Sequence, residues 1–140
     1  MEARWAVFMD TLNVSYFYEM DGFKLPSGVC YLPDFFLPLT KTWLEIKNPA
    51  ADDMNAEQAK VSGLVAITGQ RAILFAGPPL PPAPSDEATW GACCLYEEAW
   101  DSPYWWCECP LCGSIDIQWC GFSHRNYCKC PHEGRVAGED

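Results

Sequence analysis

Apolar positions along the first 77 residues change their period several times, and each change marks an element. In "EARWAVFMDTL" (residues 2–12) Trp5, Phe8 and Leu12 recur at spacings of three and four. Glu2, Ala6 and Met9 share a neighbouring stripe, which predicts an amphipathic helix with Trp5 and Phe8 in the core. "VSYFYE" (14–19) reads as a strand, and "DGFKL" (21–25) opens after an Asp-Gly turn. "GVCYLPDFFLP" (28–38) is strand-like, with Pro33 marking an edge or a bend because proline cannot donate to a ladder. "TWLEIK" (42–47) predicts a short strand. Asn55 with Gln58 gives a capping-box-like start to a helix running to Thr68 and stopped by Gly69. "RAILFAG" (71–77) closes the series as a buried strand. A helix, three or four strands, a crossover helix and one more strand predict an α/β fold, a mixed β-sheet flanked by helices.

Beyond residue 77 the pattern breaks. "GPPLPPAPSDEATW" (77–90) is proline-dense and reads as a semi-rigid linker, assigned to residues 78–90. It separates a front domain (1–77) from a cysteine-rich module (91–132), and "EGRVAGED" (133–140) reads as a loose tail. The 140 residues are 49% hydrophobic and 14% aromatic, enough for a real core. No apolar run reaches membrane-spanning length, and the start lacks the basic region and cleavage site of a secretory signal. The expectation is a protein of the cytoplasm, in a prokaryotic or phage-infected cell, without a membrane partner.

Charge narrows the partners. The net charge is −10, with six Lys/Arg against nine Asp/Glu in residues 1–77 and three against ten in residues 78–140. Such a chain gains nothing from nonspecific attraction to phosphates. Against that background three charged positions stand out, because Asp34, Glu45 and Lys47 fall inside segments that otherwise read as buried strands. Buried charges normally pair or hold a metal. Strand alternation puts Glu45 and Lys47 on one face, and the ten residues between Asp34 and Glu45 suffice for a hairpin that returns them side by side. Two adjacent carboxylates repel unless a cation lies between them, and oxygen ligands with retained waters suit magnesium. The competing explanation is a structural salt bridge on a sheet edge.

The segments "YLPDFFLP" and "WLEIK", in this order and together with "EARWAVF" and "TGQRAILFAGPP", resemble the PD-(D/E)xK nucleases, the restriction-endonuclease-like superfamily, in its small phage and bacterial members. The resemblance covers residues 2–77. It implies an αβββαβ core and metal-assisted phosphodiester hydrolysis with Mg2+ or Mn2+. It further implies Asp34 and Glu45 as metal ligands, the main-chain carbonyl of Ile46 as another, and Lys47 as the group that orients or deprotonates the attacking water. Glu2 matches the acid that many relatives carry on the first helix, with Glu19 as the substitute. Gln58 and Lys60 face either the site or solvent. Lys24, Lys41, Lys47, Lys60 and Arg71 are candidates to line a groove for nucleic acid, DNA ahead of RNA.

Six of the nine cysteines crowd between Cys107 and Cys130, which favours metal over disulfides. "CPLCG" (109–113) is a Cys-x-x-Cys knuckle, and with "YCKCPH" (127–132) it resembles a zinc ribbon turned through "SIDIQW". The expected structural zinc ligands are Cys109, Cys112, Cys128 and Cys130, with Cys120 or His132 as alternatives for the fourth. Cys30, Cys93 and Cys94 read as small buried hydrophobes. "YWW" (104–106) either packs the ribbon on the front domain or stacks on bases. The expected function is a metal-dependent nuclease, structure-specific or recruited by a partner. The alternative is a catalytically idle scaffold or acidic DNA-mimic inhibitor binding a protein through the C-terminal module.

Overall fold

A computed structural model describes residues 1–48, 50–79, 89–95, 98–109, 111–119 and 130; for 89–95, 98–105, 107, 118 and 119 it describes the backbone alone. Helix α1 (Glu2–Thr11) leads into β1 (Phe17–Tyr18), β2 (Phe23–Lys24), β3 (Cys30–Tyr31), β4 (Phe35–Leu37) and β5 (Thr42–Lys47). Helix α2 (Met54–Thr68) and β6 (Arg71–Ala76) follow, then β7 (Thr89–Leu95), β8 (Glu98–Glu108) and β9 (Ile115–Trp119). The fold is mixed α/β. A seven-stranded sheet runs in the order β1-β4-β5-β6-β7-β8-β9, and β2 and β3 form a separate two-stranded ribbon. Strand β5 is antiparallel to β4 and parallel to β6, while the remaining pairs are antiparallel. Among the described residues no helix is long and apolar enough to cross a membrane.

The parallel pair lies at the centre because its strands are apolar on both faces, as buried parallel strands are. One face of β5 and β6 gives Leu44, Ile46, Ile73 and Phe75 to a core with Phe35, Leu37, Trp5 and Met9. The other gives Trp43, Ala72 and Leu74 to a core with Val61, Leu64 and Val65 of α2, together with Leu25 and Tyr31. On α1 the buried line runs through Trp5 and Met9, between the two stripes expected from spacing, and Phe8 is only partly buried. Trp5 stacks on Phe75 with ring centroids 4.4 Å apart, and its indole Nε1–H donates to the Gly77 carbonyl at 2.9 Å. A buried indole is satisfied in this way, and α1 is thereby fixed to the end of β6.

Helix α2 starts differently from the expectation. Asp53, not Asn55, is the N-cap, and its carboxylate accepts from the amides of Asn55 and Ala56. Asp is as good a cap as Asn and stands where the chain is still extended. The end is as expected. Gly69 adopts φ 64°, a left-handed turn that glycine enters without a Cβ penalty, and its amide closes on the Val65 carbonyl. The strand expected over 28–38 is two short strands, interrupted at Pro33, which lacks the N–H that a continuous ladder requires.

The proline-rich stretch 80–88 lies outside the described residues. Strand β7, spanning the end of the expected linker and the start of the expected ribbon module, pairs with β6, so that β7, β8 and β9 extend the same sheet. Trp106 packs edge-on against Phe8 (5.3 Å) and lies over Trp5 (6.5 Å), joining β8 to α1. Arg71, a candidate for a nucleic-acid groove, is instead enclosed. Its guanidinium bonds Asp116 (2.8 Å), the Ile117 carbonyl (3.1 Å) and the Thr42 hydroxyl (2.9 Å). Arginine's planar fork can satisfy several acceptors at once, and Asp116 beside it would otherwise be a buried lone charge. In Arg71→Met that carboxylate loses its counter-charge, and urea unfolding should show a loss of about 3–5 kcal/mol. Adding Asp116→Leu to that variant should recover most of the loss.

Candidate functional site

Continuing the β4–β5 register by one residue sets Asp34 opposite Glu45, since Phe35 pairs with Leu44. Asp34 sits in the bend after Pro33, free of a ladder partner of its own, and its Oδ2 accepts the Ile46 amide at 2.6 Å. Glu45, only 3% exposed, has a partner on each oxygen. Oε1 meets the Lys47 ammonium at 2.5 Å, and Oε2 accepts the Tyr31 hydroxyl at 2.7 Å. Lys47 shares the face of Glu45 by strand alternation, and its carbonyl accepts the Gly77 amide at 2.8 Å. The group therefore lies at the C-terminal end of the parallel pair, where α1 is also attached through Trp5.

The first turn of α2 contributes two residues. Glu57 is buried, with Oε1 at 2.6 Å from Lys60 and Oε2 at 3.9 Å from Lys47. That second oxygen is enclosed without a hydrogen-bond partner. Lys60 is thus drawn into the site, whereas Gln58 is partly buried beside it. Glu57 and Tyr31 were not singled out from sequence. Glu57 stands four residues before Val61, and with Leu64 and Val65 it completes the helical stripe that α2 buries. That spacing was the available signal. Tyr31 had none beyond its place in an apolar strand, because its hydroxyl finds Glu45 only through the hairpin.

Glu2 is partly buried at the start of α1, where its Oε2 accepts the Tyr18 hydroxyl at 2.6 Å and its charge reaches Asp34. Glu19, the substitute, has an exposed side chain near Tyr18, and its amide donates to the Asp34 carbonyl at 2.9 Å. It holds φ 45°, a left-handed conformation that leads the chain away after β1. Among the described residues, Asp34 and Glu45 with any third carboxylate do not bring their ligand atoms within 4.8 Å of one another. Lys24 and Lys41 are exposed.

Electrostatics follow from this crowding. Burial, and then the charge of Glu45, push the Asp34 carboxyl up to about 7, against the Ile46 amide and Lys47, which favour its ionised form. Burial works to lower the Lys47 ammonium, but the hydrogen bond and charge of Glu45, with Asp34 and Glu57, outweigh it and hold the group above its usual value. The Tyr31 phenol is raised by burial and by Glu45.

The second candidate is sulfur. Cys109, Cys112 and Cys130 place their sulfurs within 4.8 Å of one another, close enough to hold one metal ion. The hairpin between β8 and β9 builds two of them. Cys109 Sγ accepts the amides of Leu111 and Cys112 at 3.4 Å, Gly113 turns at φ 70°, and the Cys109 amide closes on the Ser114 carbonyl. Hydrogen bonds from Ser114 lower the Cys112 thiol, while its sulfur neighbours push Cys130 up to about 12. Three thiolates packed this closely need a cation to ionise together. Of the expected four ligands three are assembled, and Cys128 lies outside the described residues, as do the alternatives Cys120 and His132. Cys30, expected to be buried, is exposed on the two-stranded ribbon; the side chains of Cys93, Cys94 and Cys107 lie outside the described set.

No protein-family model matches the chain, and no curated protein matches its sequence.

Two outcomes follow from these environments. In the unfolded chain Asp34 loses its proton near 3.8, and in the folded chain near 7. Between those values the folded state holds the extra proton, so the Asp34 contribution to stability declines as pH rises from about 4 to about 7. Thermal melts across that range in metal-free buffer should show the decline in the wild type and its absence in Asp34→Asn, which should be the more stable protein at pH 8. For the cysteines, cobalt(II) added to chelator-stripped protein should produce thiolate-to-metal absorption, and Cys112→Ser should weaken cobalt binding about tenfold or more. Equal binding by that variant would remove Cys112 from the ligand set.

Proposed function

We propose that the chain is a divalent-metal-dependent nuclease that hydrolyses phosphodiester bonds, of DNA in preference to RNA. The observation that carries this is the meeting of two buried carboxylates, Asp34 in the bend before β4 and Glu45 on β5, with the Lys47 ammonium on the same face as Glu45. Support also comes from position, because the group occupies the C-terminal end of a parallel strand pair, where open α/β sheets bind ligands. The order of α1, antiparallel strands, α2 and a parallel β6 is what an αβββαβ nuclease core requires.

The donor set suits Mg2+ or Mn2+. Two carboxylates offer hard oxygens and leave room for water, and the enclosed, unbonded oxygen of Glu57 marks a site short of positive charge. Asp34 and Glu45 would hold the ion, with the main chain at Ile46 beside it, and Glu2, bonded to Tyr18, would add only its charge. When bound, the ion supplies Lewis-acid stabilisation of charge developing on the phosphodiester. Lys47 keeps its proton near neutral pH and positions the water that attacks phosphorus, donating to the phosphate oxygens as their charge grows. Asp34 is held in one orientation by the Ile46 amide, and Glu45 by the Tyr31 hydroxyl. Lys60 lies next to Glu57 and is placed for a backbone phosphate. Recruitment by a partner, or recognition of a branched or nicked structure, accounts for binding by so acidic a chain. The cysteine cluster is assigned to structural zinc, with Cys128 as fourth ligand.

The alternative is a protein-binding module, an idle scaffold or acidic inhibitor. It is favoured by one observation, that both oxygens of Glu45 are already bonded within the protein. The two are separated by a panel of supercoiled, linear, nicked, branched and single-stranded substrates in Mg2+ and Mn2+. Wild type should cleave at least one of them, and Lys47→Ala should lose about a hundredfold or more of that rate while its thermal melt remains cooperative. Undiminished cleavage by Lys47→Ala would sink the mechanism. No cleavage at all, with a protein partner captured, would establish the binding module.

A further inference from the structure

The partners of the site's carboxylates differ in how freely they can move. Glu45 Oε2 is taken by the Tyr31 hydroxyl and Asp34 Oδ2 by the Ile46 amide, both at short distance (2.7 and 2.6 Å). Glu45 Oε1 is taken by Lys47 at 2.5 Å. Of these three partners only Lys47 can leave without disturbing the fold, because the amide belongs to the central strand and the phenol is buried in the α2-side core. A cation that engages Glu45 Oε1 would stand beside the Lys47 ammonium and repel it, and the displaced ammonium needs another acceptor to remain charged in a half-buried place.

The acceptor is already present. Glu57 Oε2 faces the same ammonium at 3.9 Å, enclosed and without a hydrogen bond, while its sister oxygen is held by Lys60 at 2.6 Å. A shift of about 1 Å would bring Lys47 to charge-assisted hydrogen-bond distance. If Glu57 merely served Lys60 as an i,i+3 surface pair, nothing would require it to point inward with one oxygen unbonded.

We propose that Glu57 is the second seat of Lys47: a divalent cation bound at Asp34 and Glu45 moves the Lys47 ammonium to Glu57, which keeps it charged beside the substrate phosphate. This rests on the assignment of Asp34 and Glu45 as the cation pair. Glu57 is thus a positioning residue that acts through Lys47, and Lys60 anchors its other oxygen so that the seat does not turn away.

The test uses the whole protein without nucleic acid, with lysine 15N-labelled and the Lys47 Nζ signal assigned by its loss in Lys47→Met. In the wild type, saturating Mg2+ should shift this signal, leave it protected from water exchange, and transfer nuclear Overhauser contacts of the Lys47 ε-protons from Glu45 to Glu57. In Glu57→Gln the same Mg2+ should bind within about twofold of wild type, yet the ammonium should broaden into water exchange. In cleavage, that variant should lose about tenfold or more in kcat with little change in KM, and Glu57→Asp should recover part of the loss. Wild-type Overhauser contacts that stay on Glu45 while Mg2+ binds would overturn the second seat and leave the cation pair intact. The wild-type arm alone decides this if Glu57→Gln does not fold. Failure of Mg2+ to perturb the wild type at all would overturn the cation pair itself, and the second seat with it.

Discussion

The Asp34 carboxylate accepting the Ile46 amide is the constraint on which the site depends. It crosses from the bend after Pro33 to the buried strand β5, and it substitutes for the ladder bond that the interrupted strand cannot make. A backbone amide is a fixed donor, so the carboxylate has one orientation and cannot relax away from Glu45. Placing two acids across a strand pair in an apolar interior is unfavourable by itself. The protein offsets this with the raised proton affinity of Asp34, with the Tyr31 hydroxyl and with Lys47. Of these compensations the proton depends on pH and the ammonium sits on a flexible stem, whereas the Tyr31 hydroxyl is fixed in the core.

The contrast with the pair of Arg71 and Asp116 makes the point. There the guanidinium meets a carboxylate, a carbonyl and a hydroxyl together and binds β6 to β9, so the charges are locked into the fabric of the sheet. At Glu45 the counter-charge is a lysine on a flexible stem, with a second carboxylate one short movement away. Arginine serves where geometry is to be fixed, and lysine where charge must stay mobile. Both carboxylates are buried. Only one has an alternative arrangement within reach.

The cysteine hairpin brings the same logic to a different ligand chemistry. Two amides aimed at the Cys109 sulfur and the left-handed turn at Gly113 prearrange a pair of sulfurs at the tip of β8 and β9, and Cys130 approaches from beyond the hairpin. Because these strands continue the main sheet, an ion held here would stiffen the edge opposite β1, well separated in the strand order from the carboxylates.

Local rules in the sequence determined the two helices, the six-residue central strands, the glycine stop of α2, the break at Pro33 and the Cys-x-x-Cys knuckle, because each follows from spacing or backbone conformation within a few residues. Strand alternation likewise placed Glu45 and Lys47 on one face. Tertiary structure alone decided which other groups stand there. Tyr31 and Glu57 reach Glu45 and Lys47 from a hairpin and a crossover helix, and nothing local to either residue carries that information. The burial of Arg71 was invisible for the same reason, since its partner lies 45 positions further along the chain. Periodicity assigns a side chain to a face. Which charges meet on that face is settled only when separate elements pack, because electrostatic partners are chosen by distance in space and not by distance along the chain.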